Sequence, residues 1–275
     1  MMQHLKNLIL NYAKEKGAAL VGFAPVSRWS EQGEVPEEFH PTYIWPPART
    51  VIVIGMAMPL PMVETTPSAL HMELYNSSNR ELDGLAYHLT NYLNGLGHAS
   101  FYFPRDCYGS IKILLEKPLA AFSHVMAAKY AGLGTLGLSH NLLTPQFGPR
   151  VRLVSVFTAA ELPSDGMLAK EQCIKCKACI TCCPPAALNW DGKAPLADYD
   201  KIACAKWHEE LTRRRCYPCG ICTKVCPVGE DRKNVYQEKG IMKKYLEEEK
   251  ALARDPNDPR YRSWTHVRNF GSWQK

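Results

Sequence analysis

The sequence predicts an α/β protein in two parts, a layered helix-and-sheet domain followed by a small cysteine-rich domain. Segments with helical and with strand periodicity alternate along the first part, which is typical of a sheet covered by helices. Ten of the 11 cysteines fall between Cys173 and Cys226, and only Cys107 precedes them. The expected divisions are an α/β domain at 1–165, the cysteine-rich domain at 166–230, and a C-terminal helix and arm at 231–275.

The first domain is expected to begin with an amphipathic helix, because Leu5, Leu8, Ile9 and Tyr12 recur at helical spacing before Gly17. The same criteria give helices at 2–16, 68–95 and 118–130 and strands at 18–24, 50–58, 100–103 and 152–157. In the C-terminal segment they give a helix around 235–254, followed by an arm with Trp264, Phe270 and Trp273.

Composition limits the class of protein and its compartment. Of the 275 residues, 46% are hydrophobic and 22% charged, which is enough apolar material for a core. Apolar runs such as 51–54 are far shorter than the roughly 20 residues that cross a bilayer, and no signal-peptide core is apparent. We therefore expect a cytoplasmic protein without a membrane segment, whose reduced thiols bind metal. The net charge of +6 permits an acidic partner such as tRNA.

The cysteines form two copies of the motif C-x2-C-x2-C-x3-C-P, which is the bacterial ferredoxin pattern. In this pattern the first three thiolates hold one 4Fe–4S cluster, and the fourth reaches the other cluster. The first cluster is therefore expected on Cys173, Cys176, Cys179 and Cys226. The second is expected on Cys183, Cys219, Cys222 and one further cysteine. Two such clusters make a path for single electrons at low potential.

Two cysteines compete as the eighth ligand. Motif spacing favours Cys216, and Cys204 is the alternative. Cys182 is a surplus thiol, expected to be structural, because its neighbour Cys183 has the required offset and precedes the proline. Cys107 is expected to be a packed thiol, although its neighbour Arg105 would favour a reactive thiolate.

A glycine-rich stretch, Gly132-Leu-Gly134-Thr-Leu-Gly137, matches the G-x-G-x-x-G pattern. A dinucleotide site needs a strand before this pattern and a helix after it. Here a predicted helix precedes it, and Pro145 and Pro149 interrupt the segment that follows. The glycines are therefore expected to shape a tight loop, either as a structural feature or against a different cofactor.

The glycine loop, Asn141-Leu-Leu-Thr-Pro145, Gly148-Pro-Arg-Val-Arg152 and the two cysteine motifs together resemble the epoxyqueuosine reductases. The resemblance is closer to a shorter branch of epoxyqueuosine reductase-like iron–sulfur proteins, and reductive dehalogenases are more distant relatives. It implies a nitroreductase-like α/β domain that binds base-off cobalamin, with a ferredoxin-like domain supplying electrons. The residues that it places at the corrinoid are Gly132, Gly134, Gly137, Asn141, Thr144, Arg150 and Arg152.

The resemblance also bears on the eighth ligand and on the proton donor. The stretch Asp200–Trp207 matches the family's segment that holds a cluster cysteine, which favours Cys204. The family's proton-donating aspartate falls at Asn79, whose neutral amide cannot act as an acid. Glu81 or Asp83 would be the substitutes. Tyr108 is a further candidate donor outside this motif.

These observations predict an iron–sulfur oxidoreductase that passes low-potential electrons through two 4Fe–4S clusters to a cofactor, with cobalamin as the expected one. The expected electron donor is a ferredoxin or flavodoxin, and the expected substrate is a small molecule or a nucleoside. A non-catalytic ferredoxin-type carrier is one alternative. A tRNA epoxyqueuosine reductase proper is the other. The resemblance implies a C-terminal helical extension for tRNA binding in those enzymes, and we expect this chain to be too short for it. His88 and His124 are expected to be structural, and His208 is a candidate for tuning a cluster.

Overall fold

The computed structural model describes residues 1–106, 108–235, 240–261, 266–268 and 270. Its α-helices are α1 Met2–Glu15, α2 Ser27–Gln32, α3 Pro41–Ile44, α4 Leu60–Val63, α5 Ala69–Gly95, α6 Ile111–Glu116, α7 His124–Tyr130, α8 Ala178–Thr181, α9 Lys201–Arg213, α10 Ile221–Lys224, α11 Glu230–Val235 and α12 Ile241–Arg254. Its strands are β1 Leu20–Pro25, β2 Thr50–Ala57, β3 Ser100–Phe103, β4 Thr135–Leu136, β5 Leu142–Leu143, β6 Val151–Thr158, β7 Leu188–Asn189 and β8 Asp198–Tyr199. Short 3-10 helices lie at Glu37–Phe39 and Pro259–Tyr261.

An antiparallel sheet of order β1-β2-β6-β3 forms the centre of the first domain. Successive side chains of a strand point to opposite faces, so both faces of β2 can be buried. Ile52 and Ile54 pack against α1 and α5 on one face, whereas Val51 and Val53 pack with Trp29 and α7 on the other. The result is a helix–sheet–helix arrangement, which confirms the predicted α/β class.

The long helix α5 carries side chains from the sheet to the cysteine-rich domain. It begins at the N-cap Ser68, whose Oγ accepts a hydrogen bond from the backbone N of His71 at 3.1 Å. Leu82, Leu89 and Leu93 bury its C-terminal half in the core. Its N-terminal half therefore projects beyond the sheet, toward the two cavities described below.

One predicted helix differs from the structure. The helix expected at 118–130 begins only at His124, where the N-cap Ser123 accepts a hydrogen bond from the N of Met126 at 3.2 Å. Pro118 lacks a backbone donor, and Ser123 provides a helix start, so the segment before Ser123 stays irregular. The other first-domain elements begin and end within two residues of their predicted bounds. Residues 236–239 of the predicted C-terminal helix lie outside the described residues, as do Cys107, Trp264 and Trp273.

The segment that links the two domains is fixed to the sheet. The Nζ of Lys6, in α1, lies 2.6 Å from Oδ1 of Asp165, and the backbone N of Phe23 donates to Oδ2 of the same carboxylate at 3.0 Å. Lys6 is buried and also donates to the carbonyl of Pro163. One carboxylate thus ties the linker to α1 and to β1.

We expect Asp165→Ala to lower the free energy of unfolding by about 1–3 kcal/mol, because the Phe23 N–H loses its acceptor and the buried Lys6 ammonium keeps only the carbonyl of Pro163. Anaerobic urea unfolding measures this change. The matched control is Glu171→Ala, which removes an exposed partner 3.9 Å from Lys175 and should cost less than about 0.5 kcal/mol. Equal effects of the two variants would show that Asp165 has no such role.

Arg150 joins the two domains. Its side chain is fully buried, and its Nε lies 2.5 Å from Oδ2 of Asp231. Its guanidinium also donates to the carbonyls of Cys226 and Val228, at 3.1 and 2.5 Å. Arg150 therefore holds the end of the second cysteine motif against the start of β6.

In the part of the chain that the structure describes, none of the helices combines the length and the hydropathy that a membrane span requires.

Candidate functional site

The first group of thiols surrounds a small cavity at the outer side of the cysteine-rich domain. Cys173, Cys176, Cys179 and Cys226 line it together with Gly137, Leu138 and Leu143 from the first domain. Cys226 comes from the second motif, so the two motifs exchange their fourth cysteines. Cys176 is exposed, and Ile174 beside it is 66% exposed. This group therefore lies next to solvent.

A second group of thiols lies deeper, in a cavity of about 260 Å³ between the two domains. Cys183, Cys204, Cys219 and Cys222 line this cavity, and Cys204 reaches it from α9. Cys216 does not line it. That thiol is 2% exposed and packs with Leu211 in an apolar cluster. Of the two candidates for the eighth ligand, the structure brings Cys204 to the other three thiols.

Buried thiols of this kind need a metal in order to ionise. Burial, together with neighbouring cysteines, raises the pKa of Cys179 to about 12, and burial raises that of Cys219 to about 12. Cationic iron offsets this cost, because it stabilises thiolates directly. Within the described part of the chain, no three His, Cys, Asp or Glu side chains converge on a point as the ligands of a single ion do. Thiols set around a cavity suit a multi-iron cluster, in which each thiolate binds a different iron.

Hydrogen bonds reach the second group of thiols from both domains. The Nδ2 of Asn141 donates to the Sγ of Cys222 at 3.3 Å, and the backbone N of Ala187 donates to the Sγ of Cys183 at 3.3 Å. Donors to cluster sulfur are among the features that set a cluster's reduction potential. Cys182 is not one of the thiols that line this cavity. It packs in the apolar cluster with Cys216, and burial raises its pKa to about 11.

A larger cavity of about 600 Å³ lies in the first domain, beside the second group of thiols. It shares Asn141, Pro149, Val151 and Arg152 with the smaller cavity, so the two are neighbours across a common wall. Its volume falls within the roughly 300–1,000 Å³ of typical small-molecule and cofactor sites. Apolar side chains make up most of its lining, among them Leu119, Phe122, Val125, Met126, Leu142, Val151 and Leu153.

A polar network surrounds Arg152 where the two cavities meet. Its Nη2 lies 3.0 Å from Oδ1 of Asp106 and 3.1 Å from the hydroxyl of Tyr75. Its Nε donates to Oδ1 of Asn79 at 3.0 Å, and Asn79 donates to Asp106 at 3.2 Å. The guanidinium also stacks 4.3 Å from the centre of the Tyr75 ring. The guanidinium of Arg152 thus contacts the amide of Asn79, the carboxylate of Asp106 and the phenol of Tyr75.

Three tyrosines extend this network toward the second group of thiols. Tyr75 donates to Oδ2 of Asp106 at 2.6 Å, and the hydroxyls of Tyr108 and Tyr217 lie 2.6 Å apart. Tyr75 and Tyr217 line the smaller cavity and pack edge to face, 5.7 Å between ring centres. Burial raises the pKa of Tyr75, the Asp106 carboxylate raises it further, and the charge of Arg152 opposes both. Burial also raises the pKa values of Tyr108 and Tyr217. All three phenols therefore keep their protons near neutral pH.

The candidate proton donors occupy different positions. Asn79 lies inside the polar network, 1% exposed, as a hydrogen-bonding amide. Glu81 is exposed on α5 and lines neither cavity, and Asp83 binds Arg105 at 2.7 Å. Tyr108 joins the network through Tyr217. The structure thus brings Asn79 and Tyr108 to the site and leaves Glu81 in solvent.

Among the residues expected at the corrinoid, Asn141 and Arg152 line both cavities, and the others lie elsewhere. Gly132 adopts a φ of +74° against the carbonyl of Gly166. A Cβ at Gly134 would lie 2.5 Å from the carbonyl oxygen of Leu143. These two glycines therefore shape a tight loop and line neither cavity, and their place at a corrinoid stays a prediction. The remaining three are Gly137 at the first group of thiols, Thr144 in a turn where its Oγ1 accepts from Phe147 N, and Arg150 at the domain junction.

The candidate histidines also differ in their surroundings. His124 lines the larger cavity, but Nδ1 pairs with Ser155 Oγ at 2.9 Å and Nε2 with the carbonyl of Pro104 at 3.0 Å. Burial lowers its pKa to about 4, so the ring is neutral and both nitrogens are engaged. His88 is exposed on α5. His208 lines the smaller cavity, 5.2 Å from the ring of Tyr217.

Nothing in the sequence patterns singles out Asp106, Tyr75 or Tyr217. The carboxylate of the site comes from the loop after β3, next to Cys107, whereas the resemblance places an aspartate on α5. Tyr217 lies inside the second cysteine motif, which is defined by its cysteines alone and assigns no role to the residues between them. An Arg-Asp pair directly after a short strand, Arg105-Asp106, is the one local signal available.

Comparison with known proteins shows which proteins and domains this chain resembles. Residues 172–230 match the family of 4Fe-4S dicluster domains. The tetrachloroethene reductive dehalogenase of Desulfitobacterium hafniense is 27% identical over 193 residues, which cover 65% of this chain and 32% of the relative. The epoxyqueuosine reductase of Bacillus cereus is 24% identical over 249 residues, 82% of this chain and 64% of the relative. The chain thus spans about a third of the length of the dehalogenases that it matches.

Solved structures give the same fold. The catabolic reductive dehalogenase NpRdhA, in complex with 3-bromo-4-hydroxybenzoic acid, matches 85% of this chain and 34% of its own, with a TM-score of 0.66 and 17% identity. An epoxyqueuosine reductase bound to a tRNA stem loop matches 88% of this chain and 68% of its own, with a TM-score of 0.56 and 17% identity. The resemblance predicted from the motifs is confirmed. The chain is a relative of both the epoxyqueuosine reductases and the reductive dehalogenases, with an α/β domain of their fold and a 4Fe-4S dicluster domain.

Proposed function

We propose that this chain is an iron–sulfur reductase in which two clusters pass electrons to a corrinoid in the larger cavity, for reductive cleavage of a carbon–heteroatom bond. The observation that carries the proposal is the common wall of the two cavities. Asn141 and Arg152 lie in that wall, and Asn141 also donates to the Sγ of Cys222. An acceptor in the larger cavity therefore lies next to the second cluster.

The proposed ligands divide by cavity. Cys173, Cys176, Cys179 and Cys226 hold the first cluster, and Cys183, Cys204, Cys219 and Cys222 hold the second. The support is that each set lines one cavity and that the two C-x2-C-x2-C-x3-C-P motifs contain seven of these eight thiols. The exposed first cluster is the entry point for electrons from a low-potential donor such as a ferredoxin or flavodoxin.

We propose the larger cavity as the site of the corrin ring of a base-off corrinoid. Its lining is mainly apolar, which suits the faces of a macrocycle, and Asn141 and Arg152 offer polar groups to its amides. His124 has both ring nitrogens engaged, so this histidine does not supply a cobalt ligand. A corrinoid bound there would supply a metal centre that collects single electrons and delivers two to the substrate.

The polar network supplies the proton. The reaction R–X + 2e⁻ + H⁺ → R–H + X⁻ consumes two electrons, brought one at a time from the external donor, and one proton. The substrate would meet this network at the common wall, where Arg152 lines both cavities. Tyr75 lines the smaller cavity, and its hydroxyl lies 3.1 Å from the Nη2 of Arg152, so it is the proposed acid at that wall. Arg152, 4.3 Å from the ring, stabilises the tyrosinate that remains. Asp106, 2.6 Å from that hydroxyl and partly exposed, returns a proton from solvent.

The substrate class follows from what the relatives share. By their names, one group reduces the chlorinated compound tetrachloroethene and the other reduces epoxyqueuosine. Both substrates carry a bond from carbon to an electronegative atom. We therefore propose a small molecule or nucleoside with such a bond. A tRNA-borne epoxide is the alternative, and loss of its oxygen as water would take two electrons and two protons, the second proton again coming from solvent through Asp106.

The direct test adds cobalamin to anaerobically reconstituted protein with about eight irons per chain. We expect saturable binding by calorimetry and an absorbance shift to the base-off form. An Arg152→Gln variant, which loses the charge in the common wall but not the cysteines, should bind less tightly with its iron content unchanged. No heat and no spectral shift in the wild-type protein would refute corrinoid binding while leaving the clusters untouched.

Tyr75→Phe is expected to lower turnover by about 10²–10⁴-fold, because it removes the proposed acid while keeping the ring against Arg152. Cluster spectra and cobalamin binding should stay as in the wild type. Since the pKa of Tyr75 is raised, its acid form persists through neutral pH, and wild-type activity should not fall from this group until above about pH 10. Tyr87→Phe, an exposed change on the same helix, is the matched control.

A further inference from the structure

His71 lies at the wall of the smaller cavity, although no pattern in the sequence marks it. It occupies the first turn of α5, where its backbone N is fixed by the Oγ of Ser68 at 3.1 Å. The side chain is 2% exposed and lines the cavity together with Cys183, Cys204, Cys219 and Cys222. An imidazole in this position needs partners for its polar atoms.

The loop that carries two of the thiols is shaped around this ring. Gly220, between Cys219 and Cys222, has a φ of +66°, and a Cβ there would lie 2.6 Å from Nε2 of His71. Only glycine therefore allows the imidazole to approach. The hydroxyl of Thr66 also donates to the carbonyl of Cys219, so α5 and the segment before it contact this loop at two points.

The two ring nitrogens differ in their surroundings. Within the described part of the chain, Nδ1 is sealed from solvent and has no hydrogen-bond partner. A neutral imidazole carries one N–H and one lone pair. A buried N–H without an acceptor costs more than an unused lone pair. The proton therefore belongs on Nε2, which lies at the cysteine loop.

We propose that the Nε2–H of His71 donates a hydrogen bond to the second cluster, at the Cys219 thiolate or an adjacent sulfide, and thereby raises that cluster's reduction potential. Reduction adds negative charge to the cluster, and a donor to its sulfur stabilises the reduced form more than the oxidised one. His71 is a positioning residue in this role, since it touches neither substrate nor corrinoid. The inference rests on the proposed ligand set of the second cluster.

The test is an EPR-monitored potentiometric titration of the two clusters in the anaerobic full-length protein. His71→Leu should shift the reduction equilibrium of the second cluster about tenfold toward the oxidised form, equal to about 59 mV for one electron, and leave the first cluster unchanged. His71→Gln, which keeps an N–H donor, should restore most of the shift. His88→Leu, an exposed change on the same helix, should have no effect.

The outcomes separate this inference from the proposed function. Unchanged potentials in a His71→Leu protein with full iron content would overturn the role of His71 alone. A wild-type protein without a second cluster would overturn the ligand set instead. If His71→Leu does not retain iron, pulsed EPR of ¹⁵N-histidine-labelled protein in a His208→Gln background decides. A weak nitrogen coupling to the second cluster is expected, and its absence would overturn the proposal.

Discussion

Cys204→Ala is expected to remove about half of the iron, whereas Cys216→Ala leaves about eight irons per chain. Cys204 lines the cavity with Cys183, Cys219 and Cys222, so its loss leaves the second cluster with three ligands. Cys216 is buried against Leu211 and lines none of the three cavities described above, so alanine there removes only a small buried group. Iron and sulfide analysis after anaerobic reconstitution measures the difference.

The spectroscopic result should agree with the iron content. In the wild type, two reduced clusters close together should broaden each other's EPR signals, and Cys204→Ala should leave the signal of the first cluster alone. Reductase activity should be lost with the second cluster. The reverse pattern, with iron lost from Cys216→Ala and retained in Cys204→Ala, would show that motif spacing and not the α9 cysteine supplies the eighth ligand.

Asp231→Ala is expected to lower the free energy of unfolding by about 3–5 kcal/mol. It leaves the guanidinium of Arg150, which is fully buried, without its carboxylate at 2.5 Å. The carbonyls of Cys226 and Val228 remain as partners, so the loss should lie toward the lower end of that range. Urea unfolding under anaerobic conditions, with reconstituted protein, gives the midpoint shift.

The control for this variant is an ion pair in solvent. Lys243 and Glu247 lie 3.8 Å apart on α12 with most of both side chains exposed, and Glu247→Gln should change stability by less than about 0.5 kcal/mol. Because Arg150 also holds the carbonyl of Cys226, Asp231→Ala should release iron at lower urea than the control does. Equal behaviour of the two variants would mean that Arg150 does not join the domains.

The fold could be predicted largely because periodicity reports local burial. α1, β1, β2, α5, β3 and β6 each carry a regular apolar pattern, and each begins and ends near its predicted bounds. The predicted start of the helix at 118–130 was wrong. Apolar residues before Ser123 line the larger cavity, and their spacing resembles that of a buried helix face. Periodicity detects that a side chain is apolar and cannot distinguish a core from a cavity wall.

The sequence predicts the site only where a single motif contains all the residues that form it. Seven of the proposed cluster ligands follow from two short motifs. Cys204 stands outside both, and only the family resemblance of Asp200–Trp207 favoured it before the structure placed α9 at the cavity. The Arg152 network joins three elements that are distant in the sequence: α5, β6 and the loop that follows β3. The sequence pattern directs attention to an acid on α5, whereas the carboxylate that contacts Asn79 is that of Asp106, from the loop after β3, and only the three-dimensional structure shows this approach.

The most direct test of the account is whether electrons reach the larger cavity through the second cluster. Protein loaded with cobalamin is mixed anaerobically with a reduced ferredoxin, and cluster bleaching and the cobalt absorbance are followed together. We predict that the clusters bleach first and that cobalt is reduced next in the wild type and in Cys216→Ala, whereas Cys204→Ala reduces cobalt no faster than free cobalamin in solution. Cobalt reduction in Cys204→Ala at the wild-type rate would contradict the account.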